Sequence, residues 1–394
     1  MKRLVVSAVA VALAAPTALL VPTGASASAA SATGMSVSAA GTGAVSSTAS
    51  RGSFESLESF ESRAVSEALA APGATTGPWR GRPGQMARRY LGTPKSGLPW
   101  HSGAWTGEYM SARNATKWGT WRGRPSDATP TFPEWRTWRD LETSDWHVST
   151  YQGFKGTLVY GLPMLPKNAK PAQLRDVAKG KHDKTYRTIA RQLRTKYKSG
   201  KVVVRIGWEA NGSWMSFRTT YAQAPQYRAA YRRIAKVVKK EFPQAVIDFD
   251  INCGTRLPGQ RTRLDSLTRL YPGDDVVDLI GCDTYDWDVL KARSEREWRQ
   301  ALRPRNSVGI QDVADFARAR RKGLSFPEWG LTHAYDGYGD NPFYVRKMHA
   351  FFRANSDVLV LENYFNVPDQ HMKNSLWNVR PQNPRAGAEY RRLW

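Results

Sequence analysis

Eight short apolar runs recur along the chain at 102–107, 126–132, 156–165, 201–209, 245–253, 276–285, 324–330 and 358–365. Between most of them the spacing of apolar residues changes from continuous to three or four apart. In 221–241, for example, Tyr227, Tyr231, Ile234 and Val238 share one helical face, and in 181–198 Ile189 and Leu193 stand four apart. Further helical patterns occupy 311–322, 342–354 and 385–394. The strand-like runs are nearly all apolar rather than alternating, which predicts a parallel sheet covered on both faces. Eight strand–helix units predict an α/β fold that closes into a (β/α)8 TIM barrel rather than an open sheet. The second run contains Pro130, which disfavours a central strand.

The chain has 394 residues, and its first part has a different texture. Residues 1–29 begin with Lys2 and Arg3, continue with an Ala-rich apolar stretch and end in small residues, the pattern of a cleavable export signal. Residues 30–85 read as a low-complexity linker, with a short amphipathic helix at 54–71. The folded domain is expected at 86–394. No later segment is long and apolar enough to span a bilayer. These features predict a secreted, extracellular protein with no membrane span in its mature chain, and a monomer. Its two cysteines, Cys253 and Cys282, sit at similar depth in two strand-like runs. One disulfide and two buried thiols are both compatible with that placement.

Composition adds charge. The formal net charge is +24, which implies attraction to polyanions such as acidic glycans. Because Arg and Lys occur in every helix rather than in one block, an evenly basic surface is the simpler reading, and no specific nucleic-acid site is implied. Fifteen Trp residues suit either core filling or stacking on sugar rings.

In a (β/α)8 barrel the site lies at the carboxyl ends of the strands. Here four strands end on acids and aromatics. The fourth ends on Trp208, Glu209 and Asn211, and the sixth on Asp283, Tyr285 and Trp287. The seventh ends on Glu328 and Trp329, and the eighth on Glu362 and Tyr364. Any single rim acid has a bland explanation; Glu209 and Glu328 together suggest a working pair. Two carboxylates, one protonated and one ionised, are what glycoside hydrolysis requires.

Four stretches carry a family resemblance. RIGWEANGSW at 205–214, GLPMLP at 161–166, YPGDDVVDLIGCDTYDW at 271–287 and SFPEWG at 325–330 together resemble glycoside hydrolase family 26, the clan A β-mannanase family. The resemblance covers 95–394. It implies Glu209 as general acid/base, Glu328 as nucleophile and Tyr285 as the residue that orients it. It also implies sugar contacts from Trp214 and Trp287; further substrate contacts are expected from Arg205, Trp208, Asn211, Asp283, Trp329 and Trp105. Arg205 is expected beneath the carboxylates, holding one ionised, or else in a buried ion pair with Asp250 or Asp283. The family usually has His before the acid/base, where this chain has Trp208.

The resemblance implies a retaining, endo-acting β-glycosidase for mannan or a related β-linked polysaccharide, with an acidic glycan as a further substrate class suggested by the charge. A non-catalytic glycan- or polyanion-binding barrel at the cell surface is the alternative. No Gly-x-Ser-x-Gly elbow, His-Glu-x-x-His or Cys-x-x-Cys occurs, and the six His are scattered. No cofactor and no metal site are implied.

Overall fold

The triplet Val202-Val203-Val204 forms a strand because β-branched side chains suit a pleat buried on both faces. Seven more runs do likewise. The computed structural model describes residues 79–107 and 111–394; the expected signal, nearly all of the linker and the 54–71 helix lie outside the described residues. The strands are β1 His101–Trp105, β2 Ala128–Thr131, β3 Thr157–Leu162, β4 Val202–Ile206, β5 Val246–Asn252, β6 Leu279–Tyr285, β7 Gly323–Gly330 and β8 Leu359–Phe365. They are all parallel and close in sequence order, β8 pairing with β1, into the (β/α)8 barrel that the periodicity predicts.

Helices cover the outside. The described ones are α1 Gln85–Leu91, α2 Ala112–Arg122, α3 Trp138–Thr143, α4 Trp146–Ser149, α5 Leu174–Ala178, α6 Asp183–Lys196, α7 Ala224–Glu241, α8 Asp265–Thr268, α9 Glu295–Leu302, α10 Ile310–Arg320, α11 Pro342–Ala354 and α12 Pro384–Leu393. In α7 the expected face, Tyr227, Tyr231, Ile234 and Val238, is fully buried. The periodicity did not single out α2 and α9. Each begins at a serine, Ser111 or Ser294, whose hydroxyl accepts an N–H of the first turn. Helix α1 stands before the barrel. Its Met86 and Leu91 pack on Val159, Val203, Val246 and Leu279, closing the amino-terminal end of the strands. The carboxyl ends are left for function. None of the described helices is long and apolar enough to cross a membrane.

Two local departures from regular pairing shape the mouth. Between Gly281 and Thr284 of β6, the partners on β7 advance from Ser325 to Trp329, and between Phe326 and Trp329 the partners on β8 advance only from Glu362 to Tyr364. Strand β7 therefore carries one extra residue at Pro327 and Glu328. Such a bulge accommodates a proline that lacks an N–H, and it re-aims the neighbouring side chain. At the end of β4 the chain turns through Gly207 and Glu209, both with positive φ (54° and 52°). A Cβ at Gly207 would come 2.2 Å from the Met164 sulfur. Glycine is required there, and the left-handed conformation of Glu209 is strain held by its surroundings.

Cys253 and Cys282 form a disulfide, with Cα atoms 5.7 Å apart and 29 residues of separation. Of the two readings open from sequence, the bridge is the one observed. Replacing both by Ser is expected to lower stability by roughly 2–4 kcal/mol through loop-closure entropy, read as a lower midpoint in a urea melt with an equal or steeper slope, because the uncrosslinked chain unfolds to a more expanded state. An unchanged midpoint would mean that the bridge adds nothing.

Candidate active site

Strand β4 places Arg205 inside the barrel with no solvent exposure. A lone buried guanidinium would be prohibitive, so it is surrounded by acids. Its Nη1 donates to Glu328 Oε1 at 2.6 Å. Its Nη2 donates to Asp250 Oδ2 and to Asp283 Oδ2, each at 2.5 Å, and its Nε also reaches Asp250 Oδ2 at 3.1 Å. The two readings of Arg205 from sequence are thus both present: it pairs with Asp250 and Asp283, and it also holds Glu328.

Glu328 is 7% exposed. Besides Arg205 it accepts from the Tyr285 hydroxyl at 3.2 Å on Oε2. Burial raises its pKa, and the charge and hydrogen bonds of Arg205, with the bond from Tyr285, pull the other way. Glu209, 4% exposed, has a different shell. Its Oε1 accepts from Asn252 Nδ2 at 2.7 Å and its Oε2 from the Trp214 indole at 2.8 Å. Both donors are neutral. Burial, and next the negative charge of Glu328, push its pKa up to about 7. The two carboxyls titrate as a linked pair. Because the cation bonds only Glu328, Glu209 is the member that keeps the proton near neutrality.

The other expected contacts divide into three groups. Trp214 is half-buried and touches Glu209 directly. Trp287 is half-buried, stands 4.8 Å from the Tyr335 ring and lines a shallow surface depression with Gly254, Thr255 and Leu290. These two keep partial exposure among the expected contacts. Trp105, Trp208 and Asp283 lie one layer behind. Trp105 is 6% exposed and packs on Phe132 and Phe365, the latter against Tyr285. Trp208, 3% exposed, is wedged among Phe132, Trp135 and Phe217, with the Arg205 guanidinium 5.7 Å from its ring. Asp283 is fully buried on Arg205.

Asn211 and Trp329 are corrected by the structure. The Asn211 amide donates to Asn252 O and Thr255 O and accepts from the Asn252 N–H, so it fastens the loop after β4 to the end of β5, and it is buried. Trp329 follows Glu328, and strand alternation sends it to the outer face. It is fully buried against Tyr390 and Trp394, and its indole donates to Glu362 Oε2 at 2.6 Å. Glu362, in the middle of β8, also accepts from the indoles of Trp100 and Trp394, so it is a structural acid rather than a rim acid.

Sequence reading missed Asn252. Its side chain holds Glu209, while its own Oδ1 accepts from Thr255 Oγ1 at 2.6 Å. The signal was the alternation Asp248, Asp250, Asn252 along β5, three polar residues on one strand face. All three point into the barrel and are buried. Asp248 accepts from Ser325 Oγ at 2.7 Å, and burial, then the charge of Asp250, push its pKa up to about 8. Among the described residues no cluster of His, Cys, Asp and Glu could hold a metal ion.

No family model matches the chain. In sequence, 133 residues (33% of this chain) are 30% identical to a mannan endo-1,4-beta-mannosidase of Bifidobacterium adolescentis, over 12% of that protein. A stretch of 270 residues (64% of this chain) is 26% identical to Endoglucanase H of Acetivibrio thermocellus, over 27% of it. The matches thus span a minor part of those relatives' length. In structure, GH26C from Muricauda sp. MAR_2010_75 superposes with a TM-score of 0.53 at 14% identity, over 75% of this chain and 84% of that one. At that identity the likeness is one of fold. The resemblance to glycoside hydrolase family 26 therefore meets a distant mannosidase in sequence and a family 26 barrel in structure.

Proposed function

We propose that the protein is an exported, retaining glycoside hydrolase that cuts within mannan or a related β-linked polysaccharide. The observation that carries this reading is the asymmetry of the two buried glutamates. One is bonded by a guanidinium and a phenol, the other by two neutral N–H donors. Glu328, held ionised, attacks the anomeric carbon, while the Glu209 proton passes to the departing glycosidic oxygen. The product of this step is a glycosyl ester on Glu328. Water, deprotonated by Glu209, then attacks the same carbon, restoring the anomeric configuration and returning Glu328 as a carboxylate. Tyr285 and Arg205 orient the nucleophile, and Trp214 and Asn252 orient the acid. A binding-only barrel would have no use for this division of proton and charge.

The test is a panel of β-linked polysaccharides read by new reducing ends, with the anomer of the first product followed by NMR. Release of the retained anomer is expected. An inverted product would remove the double displacement, and no release from any polymer would remove the hydrolase reading.

The pH profile gives an independent check. The basic limb of kcat/KM is expected near the Glu209 pKa, about 7, since activity needs its proton. Asn252 donates to the carboxylate and so favours its ionised form. Asn252→Leu removes that donor, so the basic limb should move to higher pH while kcat/KM at its maximum falls by about ten- to a hundredfold. A limb that stayed in place would mean that another group governs it.

A further inference from the structure

Resting on the glycosidase reading, we propose that the leaving-group side of the cleft is built for a glycan bearing uronic acids, whose carboxylates are bound by Arg228, Arg256, Arg261 and Arg269. The leaving group lies on the side of the acid that protonates it. That side is made by the loop joining β4 to α7, which carries Glu209, and the loop joining β5 to α8, which begins just after Asn252.

The two loops meet at Tyr221. Its N–H donates to Pro258 O at 2.9 Å. The guanidinium of Arg261 lies 4.6 Å from its ring and that of Arg269 4.5 Å. Arg269 Nε donates to Tyr221 O at 3.3 Å, and Arg228 Nη1 donates to Arg269 O at 2.7 Å. Two guanidiniums lie against one phenol and a third is bonded to the Arg269 carbonyl, and none of the three forms an ion pair with the described residues. Burial and the charge of Arg269 pull the Arg228 pKa below its usual value, as expected of crowded cations. Arg256, in the loop joining β5 to α8, is exposed. It follows Thr255, whose hydroxyl bonds the Asn252 that holds Glu209, so it stands a short step from the proposed proton donor.

Nearby acids do not neutralise the patch. Within 207–223 and 253–264 the sole acid is Glu209. Asp265, at the start of α8, is spent on the N–H groups of Arg261 and Thr262 and on the Thr262 hydroxyl. Some arginines on the outer helices are treated differently. Arg232 pairs with Asp275, Arg233 with Asp183 and Arg318 with Asp357. The basic charge is matched at these positions, whereas Arg228, Arg256, Arg261 and Arg269 form no ion pair with the described residues. Arginine forks match carboxylates in pairs of parallel hydrogen bonds. Continuity with the loops that hold Glu209 makes a sugar polymer the fitting polyanion.

The experiment uses the full chain carrying Glu328→Gln, so that the polymer is not consumed. Binding is titrated with poly-β-1,4-mannuronate and carboxymethyl cellulose, each against its uncharged counterpart. A charged polymer is expected to bind at least about tenfold more tightly than its neutral form. The triple change Arg256→Gln, Arg261→Gln, Arg269→Gln should weaken the charged polymer by roughly ten- to a hundredfold and leave the neutral one unchanged. A control triple on α6 and α7, Lys184→Gln, Lys236→Gln, Lys240→Gln, removes the same charge and should change neither.

Equal affinity for charged and neutral polymers overturns the inference, as does a control triple that loses as much as the patch triple. Equally tight binding of a short DNA duplex, lost in the same triple, overturns it too, because the patch would then read charge alone. The two proposals fail separately. Charge-selective binding with no hydrolysis by the unsubstituted chain sinks only the hydrolase reading. Hydrolysis of neutral mannan without charge selectivity sinks only this one.

Discussion

Glu328→Gln and Glu209→Gln are each expected to remove nearly all turnover of the true polysaccharide, yet to differ on a substrate with an activated leaving group. A general acid contributes about 10²- to 10⁴-fold, and loss of a covalent nucleophile costs more than about 10⁴-fold. On a dinitrophenyl glycoside the departing oxygen needs no proton, so Glu209→Gln should still form the glycosyl ester and release dye in a burst. The ester then persists, because glutamine cannot deprotonate water. Azide, which needs no general base, should restore turnover and yield a glycosyl azide of retained configuration. Glu328→Gln should show neither burst nor rescue in this form. The measurements are burst amplitude and product configuration. A burst from Glu328→Gln, or near-normal polysaccharide cleavage by either variant, would reverse or remove the proposed roles. Both substitutions keep shape but turn one acceptor oxygen into an NH2 donor facing another donor, so the melting temperature is measured beside activity to separate lost chemistry from lost fold.

The frame was legible from sequence because it rests on a repeated signal. Eight buried runs with helical spacing between them allow few solutions, and the closed barrel is the one observed. Glu209 and Glu328 were legible for a related reason. Each is a charge at the end of an apolar run, where only a use or a partner makes its burial tolerable. What failed to show was the direction of side chains near irregular backbone. Trp329 was read as a wall of the cleft because it adjoins Glu328, although strand alternation already places neighbours on opposite faces. Trp208 was harder. It sits between Gly207 and Glu209, both in left-handed conformation, where no simple alternation applies, and it turns inward among Phe132, Trp135 and Phe217. The extra residue in β7 was invisible for the same reason, since a bulge is a property of paired strands.

The position of Trp208 also bears on what the site selects. In the resemblance it replaces a residue expected to hydrogen-bond the sugar beside the scissile bond. Here it is covered by aromatic rings and packs beside the Arg205 guanidinium. On the proposed function, recognition comes from elsewhere around the mouth. The half-buried Trp214 and Trp287 offer stacking faces, and the arginines around Tyr221 offer charge. Specificity would then shift from one hydrogen bond near the reacting carbon toward contacts farther along the polymer.

Arg205→Met is expected to be the most destabilising single change in the barrel, and more so as pH rises. Methionine roughly matches the stem of arginine but leaves Asp250, Asp283 and Glu328 without their common cation. Breaking a buried ion pair from one side costs about 3–5 kcal/mol, and here three carboxyls share the loss. Burial already raises the pKa of all three, and Arg205 opposes that rise. Without it their folded-state pKa values climb further above those of the unfolded chain. A carboxyl of this kind binds its proton more tightly in the fold, so it favours folding in acid and loses that contribution as pH rises through its folded pKa. The difference in melting temperature between wild type and variant should therefore be smallest at acid pH and widen toward neutrality. The remaining activity should follow the same logic. Glu328 must be ionised to attack, so the acid limb of kcat/KM should move to higher pH. Arg205→Lys keeps a charge but loses the fork that spans three acceptors, and should recover part of the stability with less of the activity. A variant whose deficit in melting temperature did not change with pH would show that Arg205 acts by filling space, and that the proposed nucleophile owes its charge to something else.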